Sequence, residues 1–280
     1  MNNARDIAVI AYNRPDKLRR SLSSLDLTRV HVFIDGPSGY TDIKKVYHCG
    51  RVCEEFGVEY TLRKTNIGLP ANVIMSVDHV LSYSNTVIVI EDDVVISTTA
   101  QRFLDFGLRK FSDDNEVVQI GLYNPVFYEQ NGFVKLPRIC SWGWATWRDR
   151  WNSIDFNVEG YSDHLIEIKD KMMPDMYLML RNQYEGRFSA WVARADFSRA
   201  LNNQTVVYPS VSLSKNFGAD GSGINTPSTT KFDLYFGVDV DADELLSTEI
   251  SSHEIIDEFN HFYRPSFKSR LRLWARSLGI

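Results

Sequence analysis

Thr-Val-Ile-Val-Ile-Glu-Asp-Asp, residues 86–93, is a short apolar run that leads directly into three acidic residues. Four of its first five residues are Val or Ile, so the run has no polar face to offer to water. This pattern predicts a central strand of a parallel sheet, covered on both faces. In open α/β sheets, ligands bind outside the carboxyl ends of the strands, where Glu91, Asp92 and Asp93 fall. The triplet is therefore the first candidate for a functional site.

Strand-like and helical patterns alternate on both sides of this stretch. Before it, β-branched runs predict strands over 7–10, 30–34 and 58–62, and apolar periodicity predicts helices from Pro15 and over 41–56 and 69–81. After it, the patterns predict a strand over 116–122, helical structure over 172–201 and a short strand over 205–208. The alternation is typical of an α/β fold with a mostly parallel sheet flanked by helices.

The bulk composition narrows the functional class. The chain has 280 residues, 44% of them hydrophobic, and a net charge of −5, which argues against a nucleic-acid-binding protein. Three cysteines are too few for a disulfide framework, and they lack the second ligand pair of a structural zinc site. No basic segment leads into a long apolar one, and no apolar run approaches the length of a membrane span. We therefore expect a cytoplasmic protein whose membrane contact, if any, is peripheral.

Two interpretations of the acidic triplet are open at this stage. Three successive carboxylates at the end of a buried strand repel one another and lose hydration, so a bound divalent cation would stabilise them. Alternatively, the triplet is a solvated acidic turn that caps the next helix. The four tryptophans within residues 142–151 have a similar ambiguity, because dense aromatic residues build either a core or a pocket wall.

The motifs together resemble GT-A glycosyltransferases, in particular bacterial members akin to the N-acetylglucosaminyltransferase I group. The resemblance extends from residue 7 to about residue 226. It rests on Ala-Tyr-Asn-Arg-Pro at 11–15, Phe-Ile-Asp-Gly at 33–36, the acidic triplet, and the block Ser-Trp-Gly-Trp-Ala-Thr-Trp at 141–147 with its later partner Asn-Phe-Gly-Ala-Asp-Gly-Ser-Gly at 216–223. It implies a GT-A, Rossmann-like fold and a nucleotide-sugar donor.

The resemblance also implies roles for individual residues. Asp93 would ligate Mn²⁺ or Mg²⁺, Asp92 would lie against the ribose, and Glu91 would orient the site. The donor-binding residues would be Tyr12, Asn13 and Arg14 around the nucleotide, with Arg14 near the phosphates, Asp35 accepting a hydrogen bond from the base, and Arg63 and Asn66 adding further contacts. The alternatives are an ordinary helix-start side chain for Arg14 and an ordinary turn residue for Asp35.

The catalytic base is the point at which the chain departs from this pattern. An inverting transferase needs a carboxylate that accepts the proton of the attacking hydroxyl. The resemblance places that acid just before Trp191, where this chain has Ser189. Either Glu185 or Asp220 takes the role, or the correspondence at Ser189 is misaligned, or the enzyme is retaining or inactive. Asp220 has an equally simple interpretation as the Asx turn of its glycine-rich loop.

The predicted organisation is one catalytic domain and an extension. Residues 1–235 form the GT-A domain, with a nucleotide-sugar-binding half at 1–125 and an acceptor-binding half at 126–235. Residues 236–280 form an extension ending in a basic amphipathic helix, which would contact an anionic membrane surface, pack on the domain or form an oligomer contact.

The predicted function is metal-dependent, inverting transfer of a hexosyl or N-acetylhexosaminyl group. The donor would be a nucleotide sugar, with UDP favoured by analogy, and the acceptor a glycan or lipid-linked glycan in bacterial surface polysaccharide or lipopolysaccharide assembly. The alternatives are a nucleotidyltransferase or pyrophosphorylase of nucleotide-sugar synthesis and a non-catalytic glycan-binding protein. A pyrophosphorylase usually has a glycine-rich phosphate loop after the first strand, and residues 12–16 contain no glycine.

Overall fold

The computed structural model describes residues 6–158, 160–187, 189–219, 229–232, 236–237 and 240–264. Its first part alternates strands and helices as β1 (Ile7–Ala11), α1 (Pro15–Leu22), a 3-10 turn (Leu27–Arg29), β2 (Val30–Ile34), α2 (Tyr40–Phe56), β3 (Glu59–Leu62), α3 (Leu69–Leu81) and β4 (Thr86–Glu91). The predicted bounds of β2 and α3 agree with the structure. Pro15 and Pro70 occupy the first turns of α1 and α3, where a missing amide hydrogen costs nothing.

The second part is less regular. It contains β5 (Val94–Ile96), α4 (Ala100–Lys110), β6 (Val117–Gly121), β7 (Phe133–Leu136), β8 (Trp144–Trp147), α5 (Arg148–Asn152), α6 (Tyr161–Lys169), α7 (Pro174–Tyr184), α8 (Trp191–Leu201), β9 (Thr205–Pro209), β10 (Ser214–Asn216), α9 (Ala242–Leu245) and α10 (Ser252–Tyr263). The helical pattern over 172–201 is divided between α7 and α8, with Gly186 in the left-handed region at φ 69° between them. The strand over 205–208 is followed by another, β10.

One large sheet holds eight of the strands in the order β3-β2-β1-β4-β8-β6-β9-β7. The four strands β3, β2, β1 and β4 are mutually parallel, and β6 is parallel to β9. β8 runs antiparallel to both of its neighbours, and β7 is antiparallel to β9. Helices cover both faces, so the predicted α/β fold with a mostly parallel sheet is confirmed. β5 and β10 form a separate two-stranded sheet.

The strand order reverses between β1 and β4. From β1 the chain builds β2 and β3 on one side, then crosses to the other side for β4. The register pairs Ile10 with Glu91, so the residues that follow the two strands emerge side by side. Such a switch point is where open α/β sheets form their ligand crevices.

Two apolar cores cover the two faces of the sheet. On one face α3, α7, α8 and α10 pack around residues such as Val77, Trp191 and Phe259. On the other face α1, α2, α4 and α9 pack around residues such as Leu18 and Phe103.

The tryptophan block is mainly core. Trp144 and Trp147 lie on β8, inserted between β4 and β6, and Trp151 follows on α5; all three are at most 5% exposed. Trp144 stacks with Trp151 and Trp191 at ring-centroid distances of 5.8 and 5.1 Å. Trp142 is half-buried and meets Tyr123 and Phe232 edge to face. The core alternative therefore holds for three of the four.

The described part of the predicted extension packs into both cores. Leu245 on α9 is buried with the α4 side, and Phe259 on α10 meets Tyr208 edge to face at 5.3 Å. The chain between them pairs with β7, because Ile250 N donates to Phe133 O at 2.8 Å. The basic segment after Arg264 lies outside the described residues. Within those residues, the helices are too short or too polar to cross a membrane.

Candidate functional site

An arginine after β1 binds the two aspartates after β4. Arg14 Nη1 donates to Asp93 Oδ2 at 2.7 Å, and Arg14 Nη2 donates to Asp92 Oδ1. Tyr12 N donates to the other oxygen of Asp92 at 3.2 Å. Asp92 and Asp93 are 2% and 7% exposed, so this ion-pair cluster is shielded from water. The switch point of the sheet thus brings together side chains 78 and 79 residues apart in the chain.

The cluster has more carboxyl groups than basic groups, and this imbalance, together with burial, shifts the pKa values of its members. Burial raises the pKa of Glu91, and the carboxylates of Asp93 and Asp92 raise it further. Burial also raises the pKa of Asp92, although Arg14 opposes the shift. Burial alone would lower the pKa of Arg14, but the two aspartates hold it above its ordinary value. One guanidinium faces three carboxyl groups, so a further cation at this site would be stabilised.

The loop after β10 closes over Asp93. Asn216 Nδ2 donates to Asp93 Oδ1 at 3.0 Å, and Phe217 N donates to the Asp93 carbonyl at 2.8 Å. Gly218 N donates to Asn216 Oδ1 at 2.6 Å. A Cβ on Gly218 would lie 2.1 Å from Asp93 Oδ2, so this position is restricted to glycine by close packing. Residues 216–218, the start of the motif at 216–223, are thereby joined to the triplet.

Basic side chains from α1 border the same loop. Lys17 Nζ donates to Phe217 O at 3.0 Å, and the Arg20 guanidinium lies 3.4 Å from the centroid of the Phe217 ring. Lys17 and Arg20 thus add two positive groups along the loop that holds Asp93, an arrangement suited to an anionic ligand.

Asp42 holds the residues of the predicted nucleotide pocket. Its carboxylate accepts hydrogen bonds from Tyr12 Oη at 2.8 Å, Asn13 Nδ2 at 3.0 Å and Ser38 Oγ at 2.5 Å. These hydrogen bonds lower the pKa of Asp42. Sequence reasoning missed Asp42, because its only sequence signal is an acid in the first turn of α2, which helix capping also explains.

Asp35 links the end of β2 to the start of α3. Its carboxylate accepts hydrogen bonds from the backbone amides of Gly36, Ile67 and Gly68, each at 2.9 Å. The side chain is 3% exposed. In this structure Asp35 therefore fixes the loop that enters α3, and its contact with a nucleotide base stays a prediction.

Arg63 and Asn66 lie in the same corner of the sheet. Asn66 Nδ2 donates to Gly36 O at 3.0 Å, and Arg63 Nε donates to Asn72 Oδ1 at 2.7 Å. Burial lowers the pKa of Arg63, with Asp35 opposing the shift. The structure thus groups both residues with Asp35 after two adjacent parallel strands.

The residues considered for the catalytic base lie in different parts of the chain. Glu185 follows α7 and makes ion pairs with Arg181, at 3.6 Å, and with Arg187. Ser189 is exposed, and its Oγ accepts from Arg194 Nη2 at 3.3 Å. Asp220 lies outside the described residues. Both base assignments therefore stay predictions.

The oxygen atoms around Asp93 provide only part of the ligand set of a divalent metal. Mn²⁺ and Mg²⁺ prefer carboxylate, phosphate and water oxygens. Each oxygen of Asp93 accepts one hydrogen bond, from Arg14 or Asn216, and keeps a second lone pair. Among the described residues, no three His, Cys, Asp or Glu side chains are grouped so that they could hold a metal by themselves. The residues therefore fit a metal that takes most of its ligands from a bound phosphate and water.

Comparisons with known proteins identify only distant likenesses. No protein-family model matches the chain, and no curated protein matches it. Among the solved structures that match is GalNAc-T7 with UDP, GalNAc and Mn²⁺, at 8% identity and a TM-score of 0.45, over 75% of this chain and 43% of that one. Another is mannose-1-phosphate geranyltransferase from Thermus thermophilus, at 10% identity and a TM-score of 0.35, over 72% of each chain. At these scores, the function must be inferred from the site.

Proposed function

We propose that this protein is a metal-dependent glycosyltransferase that uses a nucleotide-sugar donor, with UDP as the favoured nucleotide. The acceptor is a glycan or lipid-linked glycan of bacterial surface polysaccharide or lipopolysaccharide assembly. The observation that carries the proposal is the contact of Arg14, after β1, with Asp92 and Asp93, after β4. This contact lies at the switch point of the sheet, the expected position of a nucleotide.

Asp93 is the residue we assign to the metal, Mn²⁺ or Mg²⁺. When bound with a nucleotide sugar, such a metal neutralises the charge that develops on the leaving diphosphate. Asn216 and Gly218 support the assignment, because they hold Asp93 in place through one hydrogen-bonded loop. In this scheme Arg14 releases part of its contact with the carboxylates and pairs with phosphate oxygens, for which its planar fork is suited.

The remaining residues of the proposed nucleotide-sugar site bind the nucleoside. Tyr12 and Asn13, oriented by Asp42, border the nucleotide, and Asp92 lies towards the ribose. Asp35 accepts a hydrogen bond from the base, and Arg63 and Asn66, which lie in the same corner of the sheet, add further contacts with the nucleotide. Glu91, half-buried beside the aspartates, orients the site.

We assign the transfer step to an inverting mechanism with Asp220 or Glu185 as the base. The base accepts the proton of the acceptor hydroxyl as that oxygen attacks the anomeric carbon, and the bond from this carbon to the phosphate oxygen breaks, so that the nucleotide leaves with the electron pair. The basic segment at the C-terminus is proposed to bring the enzyme to the inner face of the cytoplasmic membrane, where lipid-linked acceptors reside.

A donor-hydrolysis assay tests the proposed reaction. The protein is incubated with UDP-, GDP- and CMP-sugars and Mn²⁺, and the products are separated by ion-exchange chromatography. A transferase without acceptor slowly releases the free sugar and the nucleotide of its own donor, which is UDP or GDP from a UDP- or GDP-sugar and CMP from a CMP-sugar. Formation of a nucleoside triphosphate on addition of pyrophosphate would instead indicate a pyrophosphorylase, and no product from any donor would favour a glycan-binding protein.

A further inference from the structure

A cavity separate from the carboxylate cluster lies in the half of the chain that follows residue 126. It has a volume of about 360 Å³ and is bordered by the segment after α5, the end of α7 and one face of α8. Its lining includes Phe156, Val158, Gln183, Tyr184 and Arg194. This volume falls in the range of small-ligand pockets.

Arg194 is the charged residue of this cavity, and its contacts with the described residues leave its charge uncompensated. Nη1 donates to Phe156 O at 3.1 Å, and Nη2 donates to Ser189 Oγ at 3.3 Å. Its Nε is buried and has no hydrogen-bond partner among the described residues. Burial lowers the pKa of Arg194, and no carboxylate in the part of the chain that the structure describes raises it. A half-buried guanidinium with only neutral partners is stabilised by an anion.

Two buried arginines in this half of the chain, by contrast, have acidic partners. Arg138 pairs with Asp175 at 2.9 Å, and Arg199 pairs with Asp196 at 2.7 Å. Arg194 differs from both, and its missing counter-charge is best supplied from outside the chain.

The cavity walls suit a carbohydrate. Phe156 and Tyr184 provide ring surfaces, while Asn157 and Gln183 provide amide groups. Gln183 is fixed in place, because its Oε1 accepts from Ala190 N at 2.7 Å. A pyranose ring has both apolar C–H surface and hydroxyl groups, so it matches a wall that combines aromatic and amide side chains.

The backbone of the cavity rim is strained at Val158. Its φ is 61°, in the left-handed region, although Val is β-branched. Such strain persists only where the surrounding structure enforces it, and it is concentrated at ligand sites. The strained residue and the uncompensated arginine line one cavity.

We propose that this cavity binds a sugar residue that carries a carboxylate or phosphate group, with Arg194 pairing with the oxyanion and the aromatic walls packing on the ring. As a part of the acceptor, this sugar would make the enzyme select acidic glycans, an assignment that rests on the proposed transferase function. Binding of the sugar itself does not depend on that function.

The test measures direct binding of four probes by saturation-transfer NMR or calorimetry. The probes are glucuronate, glucose 6-phosphate, neutral glucose and inorganic phosphate. We expect glucuronate or glucose 6-phosphate to bind at least ~10-fold more tightly than glucose, as a charged hydrogen-bond pair provides. The better of the two identifies the anionic group as carboxylate or phosphate. Inorganic phosphate, which lacks the ring, should bind more weakly than the better sugar.

Substitutions of Arg194 test whether the sugar binds in this cavity. Arg194→Gln should weaken anionic-sugar binding at least ~10-fold, and Arg194→Lys should lose less, because it keeps the charge without the planar fork. Arg187→Gln, which removes a nearby exposed arginine paired with Glu185, is the matched control and should bind as the parent does. Thermal unfolding checks that each variant is folded.

Equal binding of glucose and the anionic sugars by the unaltered protein would overturn the proposal, as would a folded Arg194→Gln variant that binds the anionic sugars as tightly as the parent does. If Arg194→Gln fails to fold, the comparison of glucose with the anionic sugars on the unaltered protein still decides. A separate titration with UDP and Mn²⁺ reports on the proposed transferase function. Sugar binding without nucleotide binding would leave the cavity site standing and remove only its role in an acceptor.

Discussion

At the scale of single residues, the site depends on the balance between Arg14 and the carboxylates that it contacts. In this structure the guanidinium is the main counter-charge of Asp92 and Asp93. A metal and a diphosphate would change its partners rather than its position after β1. The lone pairs that remain on Asp93 are those that a cation would use.

Replacing Asp93 tests this assignment. Asp93→Asn removes the charge and one lone-pair-rich oxygen but keeps the shape of the side chain, so we expect metal-dependent nucleotide affinity to fall at least ~100-fold. The measurement is calorimetry with UDP and Mn²⁺. Asp114→Asn, which alters an aspartate paired with Lys135 outside the site, is the control and should bind normally. Normal binding by folded Asp93→Asn would remove Asp93 from the metal site.

Gly218 provides a second test at this scale. Gly218→Ala would place a methyl group 2.1 Å from Asp93 Oδ2, so Asp93 or the loop after β10 must move. We expect nucleotide affinity to fall by ~10-fold or more, the range seen when a residue that orients a metal ligand is changed. Gly39→Ala is the matched control, because a Cβ there meets nothing within 4 Å. If both variants bind nucleotide equally well, the loop does not fix Asp93.

At the scale of elements, Asp35 joins a strand to a helix. Loss of its three amide hydrogen bonds in Asp35→Ala should lower the free energy of unfolding by roughly 3 kcal/mol, since buried donors would be left unpaired. Urea denaturation measures the change. Asp26→Ala removes an exposed helix cap and should cost about 1 kcal/mol. An equal loss in the two variants would show that Asp35 does not hold the loop.

Elements with a clear local pattern were predictable from sequence, and others, including the 11-residue helix α4 and the 12-residue helix α10, were not predicted. β2 and α3 have strong periodic or β-branched patterns, so local sequence determines their bounds. β5 and β10 have three residues each, too few for a period to appear. β8 was hidden in the tryptophan block, because its strand conformation depends on insertion between β4 and β6.

The candidate site was predictable in its residue types but not in its pairing. The position of Asp92 and Asp93 after a buried strand indicated where carboxylates would gather, and their role as metal and donor ligands stays a prediction. Their contact with Arg14 required the strand order, and the contact of Asn216 with Asp93 required the loop after β10. Contacts over such sequence separations have no local signal.

At the scale of the whole molecule, α10 completes the core beneath the sheet. Phe259→Ala should lower the free energy of unfolding by about 3–5 kcal/mol, because the side chain is fully buried against Tyr208. Phe127→Ala, at a residue that is 57% exposed, should change it by about 0.5 kcal/mol or less. Urea denaturation compares the two. A small effect at Phe259 would show that the extension folds separately from the domain.

The parallel arrangement of the first four strands explains the position of the candidate site. Parallel strands β1, β2, β3 and β4 present their carboxyl ends at one edge, so the loops that carry Arg14, Asp35, Arg63 and Asp93 share that edge. One ligand that spans the edge can therefore contact all four loops. A nucleotide with a diphosphate, which has a base at one end and anionic groups at the other, is the ligand that we propose for this edge.

The proposed donor site is tested by calorimetric titration with UDP, GDP and CMP, each in Mn²⁺ and again with excess chelator. We expect one of them, with UDP favoured, to bind in Mn²⁺, and we expect chelation to abolish the binding. Mn²⁺ without nucleotide should bind weakly, because the described residues alone provide too few ligands. Absence of binding by all three nucleotides in Mn²⁺ would contradict the proposed donor site.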